Sequence, residues 1–342
     1  MPEKWSEIAT RRFFGILARK RVPVKAEVSI SGEQLWEEDV QRRVSGIRFY
    51  LRQIWKDKLA FVGLVIVAGF LIWGVVEAAM QEIAILTRNA SYGWLLLPSI
   101  PVLRGTITQN VPQPPNWTLA GLFGTDSRGL SILSQILYAA PHDVEAAVVV
   151  VFVGISVGML VGIGAGYFGG LVDEVLMRLT DAFLAIPGLV LAIAITVLLG
   201  SAFQSAMIAL IIVWWPTYAR FFRGEALALK NRSFVEAAKL SGVSSTRILF
   251  RHIFPNSIDP IIAYATLDFG TVILTFSTLA FLGIGVDYNY PEWGAMSSLG
   301  LGYLQVYWWW SIVPGLVILL VVVGFTLLGD KLQDLVGGRT TY

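Results

Sequence analysis

Apolar residues in this chain come in six long blocks, and polar residues fall between them. The blocks are 59–76, 146–168, 182–199, 202–218, 258–284 and 311–328. Each is apolar on every side rather than along one stripe, the pattern of a helix with an apolar medium around it. The first has 18 residues. At ~1.5 Å per residue that is ~27 Å, just enough for a hydrocarbon core of ~30 Å. The pattern predicts an all-α integral membrane protein with six transmembrane helices. Pro187 is expected to bend the third, and Pro216 lies near the exit of the fourth.

The segments between the blocks are unequal. Residues 1–50 form a polar, basic extension ahead of a membrane domain at 51–342. The start has no long apolar core and no small-residue cleavage site, so it is not a secretory signal. Either an amphipathic helix on the lipid surface or a tail without a specific role fits its composition. Residues 77–140 make a large loop broken by Pro98, Pro101, Pro112, Pro114 and Pro115. Its apolar run at 93–103 is too short to span and is expected at the interface.

One polar interruption, 231–259, has an organisation of its own: NRSFVEAAKLSGVSSTRILFRHIFPNSID. It reads as two short amphipathic helices. Ser233 is placed to cap the first, with Glu236 completing a capping box and Leu240 near its end. Gly242 follows as a left-handed stop, which a residue without Cβ adopts cheaply. Ser244 or Ser245 caps a second helix to about His252, a histidine suited to the negative end of a helix dipole, and Pro255 ends it. Glu236, Lys239, Arg247 and Arg251 form the wet side. Phe234, Val235, Leu240, Ile248, Leu249 and Phe250 form the apolar one.

Charge then sets the orientation. Of 26 lysines and arginines, 13 lie in 1–58, one in 169–181, 7 in 219–257 and 2 in 329–342. The alternate segments hold 3 (Arg88, Arg104, Arg128) and, between blocks five and six, none. Positive charge stays on the cytoplasmic side. Both termini and the polar loop 220–257 are therefore expected inside the cell membrane, with 77–140 outside. The composition, 55% hydrophobic and 15% charged, is that of a multi-pass membrane protein and not a nucleic-acid binder. Zero cysteines and two distant histidines, His142 and His252, remove thiolate chemistry, disulfides and ligand-spaced metal sites.

A few residues inside the blocks carry candidate chemistry. Gly154, Gly158, Gly162, Gly166 and Gly170 recur every fourth residue, a nearly bare helix face for close packing within the subunit or against a partner. The pattern Gly154-Ile155-Ser156-Val157-Gly158 mimics a nucleophile elbow but lies mid-span with no His or Asp nearby. No catalytic residue is assigned. Asp268 lies within the fifth block, where a carboxylate costs about 2.5–3.5 kcal/mol. It either lines a translocation path or bonds a neighbouring helix near Thr266 or Thr271. Asp173, Arg178 and Asp181 are expected to pair on the inner face. Tyr288, Tyr290, Trp293, Tyr303, Tyr307, Trp308, Trp309 and Trp310 crowd the loop before the sixth block as an interfacial belt, with Tyr288 or Tyr290 also able to stack a solute ring. Asn89 and Asn116 stand in N-x-S/T sequons on the expected outer face.

Five motifs carry a family resemblance. Glu236-Ala237-Ala238, Gly242 and Ile253-Phe254-Pro255-Asn256 resemble the EAA loop of ABC-importer permeases. FGTDSRG at 123–129, GYFGGLVDEVLMRLTD at 166–181, FLGIGVDYNYPEWGAM at 281–296 and GDKLQD at 329–334 resemble further motifs of the second permease of dipeptide/oligopeptide importers. The chain departs from the family pattern at Leu130-Ser131, at 140–144 in place of GARxSL, and at Tyr288-Asn289 in place of a proline pair. The resemblance implies a MetI-like type I importer permease without an ATPase of its own, and no GxxxxGK[ST] occurs here. It implies coupling to two partner ATPases, which hold ATP and Mg, through Glu236, Ala237, Ala238, Gly242, Arg247, Arg251 and Pro255. A second homologous permease and an extracellular solute-binding protein complete the implied assembly. The expected solute is a dipeptide or oligopeptide, with an oligosaccharide as the alternative on the same scaffold. An integral-membrane enzyme needs more acids or nucleophiles than Asp268 alone. A stand-alone channel leaves 231–259 unexplained.

Overall fold

The computed structural model describes residues 46–87, 111–118, 121–285 and 291–340. The chain divides into two units, Met1–Leu51 and Arg52–Tyr342. Of the first, only the opening of helix α1 (Gly46–Lys56) falls among the described residues, so the expectations for 1–45 lie outside them. In the second, α2 (Lys58–Thr87), α3 (Ile132–Phe168), α6 (Phe203–Lys230), α10 (Ile258–Phe281) and α12 (Trp308–Thr340) are each long and apolar enough to cross a membrane. Shorter helices lie between them: α4 (Gly170–Leu184), α5 (Gly188–Leu199), α7 (Ser233–Leu240), α8 (Ser245–Ile248), α9 (Phe254–Asn256) and α11 (Trp293–Leu301). The described residues contain no strand, only an isolated bridge between Thr125 and Ser131.

The helices outrun the apolar blocks that predict them. Helix α2 continues beyond Val76 to Thr87, and α3 starts at Ile132, ahead of the block at 146. Residues 77–87 and 132–140, expected within the large loop, are thus helical. At 37 residues α3 is ~56 Å long, well beyond one bilayer core. The third block departs most from expectation. Residues 182–184 close α4, and α4 and α5 meet at an 85° bend across Ala185–Pro187. Alone, the 12-residue α5 reaches only ~18 Å. Pro216 and Pro314 lie inside uninterrupted helices. The apolar run at 93–103 and the sequon at Asn89 lie outside the described residues; Asn116 is exposed, its Oδ1 accepting from the Thr118 N–H at 2.9 Å.

Burial follows sequence spacing. On α2, Ala60, Val67 and Phe70 face inward while Leu59, Val62, Val65, Ile72 and Val75 stay exposed, as lipid-facing side chains do. Phe70 packs against Trp293 at 5.6 Å and Phe325 at 6.3 Å, and Phe325 stacks on Phe269. One aromatic centre therefore joins α2, α10, α11 and α12. Trp293 adds α3, donating its indole N–H to the Ile136 carbonyl at 3.0 Å.

Helices α3 and α6 meet closely because the α3 side of the contact is bare of side chains. A Cβ on Gly158 would lie 2.4 Å from the Tyr218 Cβ, and one on Gly162 would lie 2.2 Å from the Ala219 carbonyl oxygen. Gly154 and Gly166 continue the same contact, against Tyr218 and Ala226. The glycine face is thus spent within the subunit. Gly170 is not on it, having positive φ at the start of α4 with open space around it.

Candidate functional site

The polar stretch is anchored from below and open above. Val235, Ala238, Ile248 and Ile253 are buried, which fixes α7 and α8 to the body. The rest of the expected apolar side does not follow them. Leu240 is 90% exposed, Phe250 56% and Phe234 39%. These three stand with exposed Glu236, Lys239, Arg247 and Arg251 in a mixed apolar and charged surface, and Pro255 is also exposed. Among the described residues, none of those four charges is in an ion pair.

The backbone explains the spacing from Ala238 to Gly242. Ser241 is the C-cap of α7. The Val243 N–H donates to the Ala238 carbonyl and the Gly242 N–H to the Lys239 carbonyl, both at 3.0 Å. This is a Schellman turn, which needs a residue at positive φ, and Gly242 has φ +75°. The start of α7 departs from expectation. Ser233 is already helical, Arg232 holds the cap position, and no side chain caps the end. Ser244 likewise precedes α8 without a side-chain cap bond.

The second helix does not end at Pro255. It widens into a π turn over Leu249–Ile253, where the Phe254 N–H reaches back to the Leu249 carbonyl, and then continues through Pro255. A proline ring collides with the carbonyl four residues back and lacks the N–H to bond it. Widening just ahead of the proline relieves both. His252 sits within this turn, its ring 6.3 Å from that of Phe234, and so ties it to α7.

Ion pairs hold the neighbouring elements. The Arg223 guanidinium makes a two-pronged contact with Asp173 at 2.6 and 2.7 Å, and Arg220 meets Asp181 at 2.7 Å. Both pairs bind α4 to α6. Arg178 takes no part and instead pairs with Glu174 at 2.6 Å, which corrects the expected Asp173–Arg178–Asp181 network. Local reading could not find partners some 40–50 residues away. Asp57 caps α2 by accepting from the Leu59 and Ala60 N–H groups, and it also meets Lys331 of the GDKLQD motif at 3.1 Å. The Lys331 ammonium, followed by those N–H groups, holds the Asp57 carboxyl below its ordinary value.

Asp268 has its partner across the helix pair. The Trp214 indole N–H donates to its Oδ2 at 2.8 Å. Thr266 and Thr271, the expected partners, bond carbonyls of their own helix at Ile262 and Leu267. Phe221 stacks on Tyr264 and Tyr218 meets Tyr264 edge-on, so α6 and α10 put an aromatic surface beside the acid. In the FGTDSRG loop Asp126 is buried and accepts from the Arg128 and Leu130 N–H groups at 2.9 Å. Gly124 has φ +77° there, and the indole of Trp309 fills the space a Cβ would take. The Trp309 N–H donates to the Thr125 carbonyl at 3.2 Å. Trp293, Trp309 and Trp310 are thus buried structural residues rather than a belt, and Tyr288 and Tyr290 lie outside the described residues. No three His, Cys, Asp or Glu side chains among the described residues are placed to hold a metal ion.

Residues 158–342, which include this anchored loop, match the family described as binding-protein-dependent transport system inner membrane component. The chain belongs to that family. It is a multi-pass transport subunit whose described residues are helical, not an enzyme. The dipeptide transport system permease protein DppC of Alkalihalophilus pseudofirmus is 37% identical over 297 residues, covering 87% of this chain and 91% of that protein. The probable D,D-dipeptide transport system permease protein DdpC of Escherichia coli K12 is 40% identical, covering 66% and 74%. The glutathione transport system permease protein GsiD of Escherichia coli O6:K15:H31 is 39% identical, covering 66% and 73%. A chain of the MetNI methionine ABC transporter, solved in inward-facing conformations, is similar at 17% identity and a TM-score of 0.48, covering 60% of this chain and 97% of that one.

Proposed function

We propose that this permease forms half of the translocation path of a peptide importer and is driven by partner ATPases through residues 231–259. The observation that carries the reading is the exposed surface around Leu240, Phe234 and Phe250, set on helices that are themselves firmly anchored. Apolar side chains with a charged rim, left open at the end of a polar loop, suit a protein groove. Glu236, Arg247 and Arg251 supply polar contacts, while Ala237, Ala238, Gly242 and Pro255 shape the segment. A second, homologous permease completes the path, two ATPase chains hold ATP and Mg, and an external binding protein delivers the solute. Both termini lie in the cytoplasm. Alternating access needs no covalent step in this chain. Asp268, beside its aromatic surface, faces the path and takes the amine of the solute. The names of the relatives favour peptides over oligosaccharides as that solute.

The test is native mass spectrometry of the tagged protein from its own membranes, with wild type beside Leu240→Glu. Leu240 supports no packing, so the variant should fold and keep the second permease while losing the ATPases. Dipeptides should stimulate ATP hydrolysis by the wild-type complex. Emergence of the wild type alone, equal ATPase retention by the variant, or stimulation by glycans but not peptides would each overturn part of this reading.

A further inference from the structure

The junction of α1 and α2 carries an exposed surface that neither the path nor the coupling segment uses. Residues 52–56 of α1 belong to the same unit as α2. Ile54 is buried there at 4% exposure and fixes the end of α1 to the body. Trp55, the next side chain round the helix, is 72% exposed, yet its ring is held edge-on by Phe61 of α2 at 4.8 Å. Exposed Leu59, Val62 and Val65 carry the apolar surface onward along α2. No polar side chain occurs between Leu59 and Val76, and α2 is long and apolar enough to cross a membrane. An exposed indole at the end of such a helix stands at the level of the lipid headgroups.

Cations stand beside the indole. Arg52 and Lys56 are four residues apart, one turn along the same face of α1, and Lys58 opens α2. All three are exposed, and among the described residues none is in an ion pair. The one acid between Gly46 and Val76 is Asp57, and it is already engaged. It accepts from the Leu59 and Ala60 N–H groups and meets Lys331 at 3.1 Å. Asp330 and Asp334, on either side of Lys331 in the sequence of α12, pair with none of the three cations. The junction therefore attracts an anion and offers no free carboxylate to the ammonium of a zwitterionic headgroup.

We propose that this junction binds an anionic phospholipid. Arg52, Lys56 and Lys58 meet the charged headgroup, and Trp55, Leu59 and Val62 lie along the first carbons of its acyl chains. Long basic side chains can lay their stems on apolar surface while their heads reach phosphate. Continuity decides for lipid over a protein partner: the apolar strip has no polar rim at its far end and runs directly into the bilayer face of α2. The site ties the start of the membrane domain to one class of lipid, whatever solute is carried and however the ATPases engage.

Native mass spectrometry of the full-length chain with its partners, released from nanodiscs of equal phosphatidylglycerol and phosphatidylcholine, tests the site. Wild type should retain phosphatidylglycerol in preference, and less of it as salt rises. Arg52→Gln, Lys56→Gln and Lys58→Gln remove exposed charges that support no packing, so each variant should fold and retain about fivefold less phosphatidylglycerol. A bimane label on Trp55→Cys reports the apolar half, with the wild-type complex as blank because this chain has no cysteine. Brominated acyl chains should quench that label and aqueous iodide should not. Equal retention of both lipids by wild type, or unchanged retention in the triple variant, would overturn the proposal. So would a label quenched by iodide alone, or one shielded from both quenchers, which would put a protein where we place the lipid.

Discussion

Pro141 removes the N–H that would otherwise meet the Leu137 carbonyl inside α3, and the Trp73 indole supplies the donor in its place at 3.0 Å. A buried carbonyl without a donor costs about 1–3 kcal/mol and this half-buried one somewhat less, so Trp73→Phe should modestly lower the melting temperature of the purified protein. Pro141→Ala restores the backbone donor. A double-mutant cycle should therefore be non-additive, with Trp73→Phe nearly neutral in the Pro141→Ala background. The glycines of α3 allow a sharper contrast. Gly162→Ala should destabilise by about 1–3 kcal/mol, as overpacking does, since its Cβ has no room beside the Ala219 carbonyl. Gly164→Ala, with nothing within 4 Å, should be neutral or mildly stabilising in the same measurement. Residues of this kind are partly legible in sequence. The four-residue glycine spacing announces a bare face, because helical period fixes it. The identity of what lies against that face, and the Trp214 partner of Asp268, come from a second helix that no local pattern names.

At the scale of the element, rules for local backbone geometry hold where one residue satisfies them alone. Gly242 takes its positive φ because the Schellman turn offers no other route. Ser233 fails as a cap because the Arg232 backbone already takes that place, so the serine is drawn into the first turn. Pro255 fails as a stop because a π turn absorbs it. Helix ends were the least legible feature for a related reason. Hydropathy marks where lipid begins, whereas α2 and α3 continue beyond it, held by Gln81, which donates to the Tyr138 carbonyl at 3.1 Å. The Asp57 cap carries a pH dependence of its own. Its carboxyl is held below the ordinary 3.8, chiefly by Lys331, so its contribution is present above that value and lost as pH falls through the lowered one. Asp57→Asn should weaken the acid limb of a melting-temperature profile and leave the neutral region little changed.

For the whole molecule, the helical membrane class and five of the six expected spans were readable from composition, because the bilayer sets a least length for a crossing helix; the sixth is reached only if α4 and α5 count together as one bent span. The 85° break between α4 and α5 was only half readable. Pro187 marks the bend, but the ion pairs from Arg220 and Arg223 that hold α4 along α6 come from another element and leave no local signal. Orientation rests on charge bias, and the absence of cysteines makes it directly testable. Single cysteines introduced at Leu240 and at fully exposed Trp117 should be labelled by an impermeant thiol reagent from opposite faces. Labelling of Leu240→Cys should require inside-out membranes. A last consequence lies in the α3–α6 contact. Rods in such close contact resist sliding, since the glycines of one are notches that hold the backbone and short side chains of the other. They behave mechanically as one beam, with α4 riveted to its side by paired charges. Displacement entering near Gly242 would then be carried along that beam, and the Pro187 elbow and the π turn ahead of Pro255 are the breaks in regular helix where a transport stroke could bend the chain.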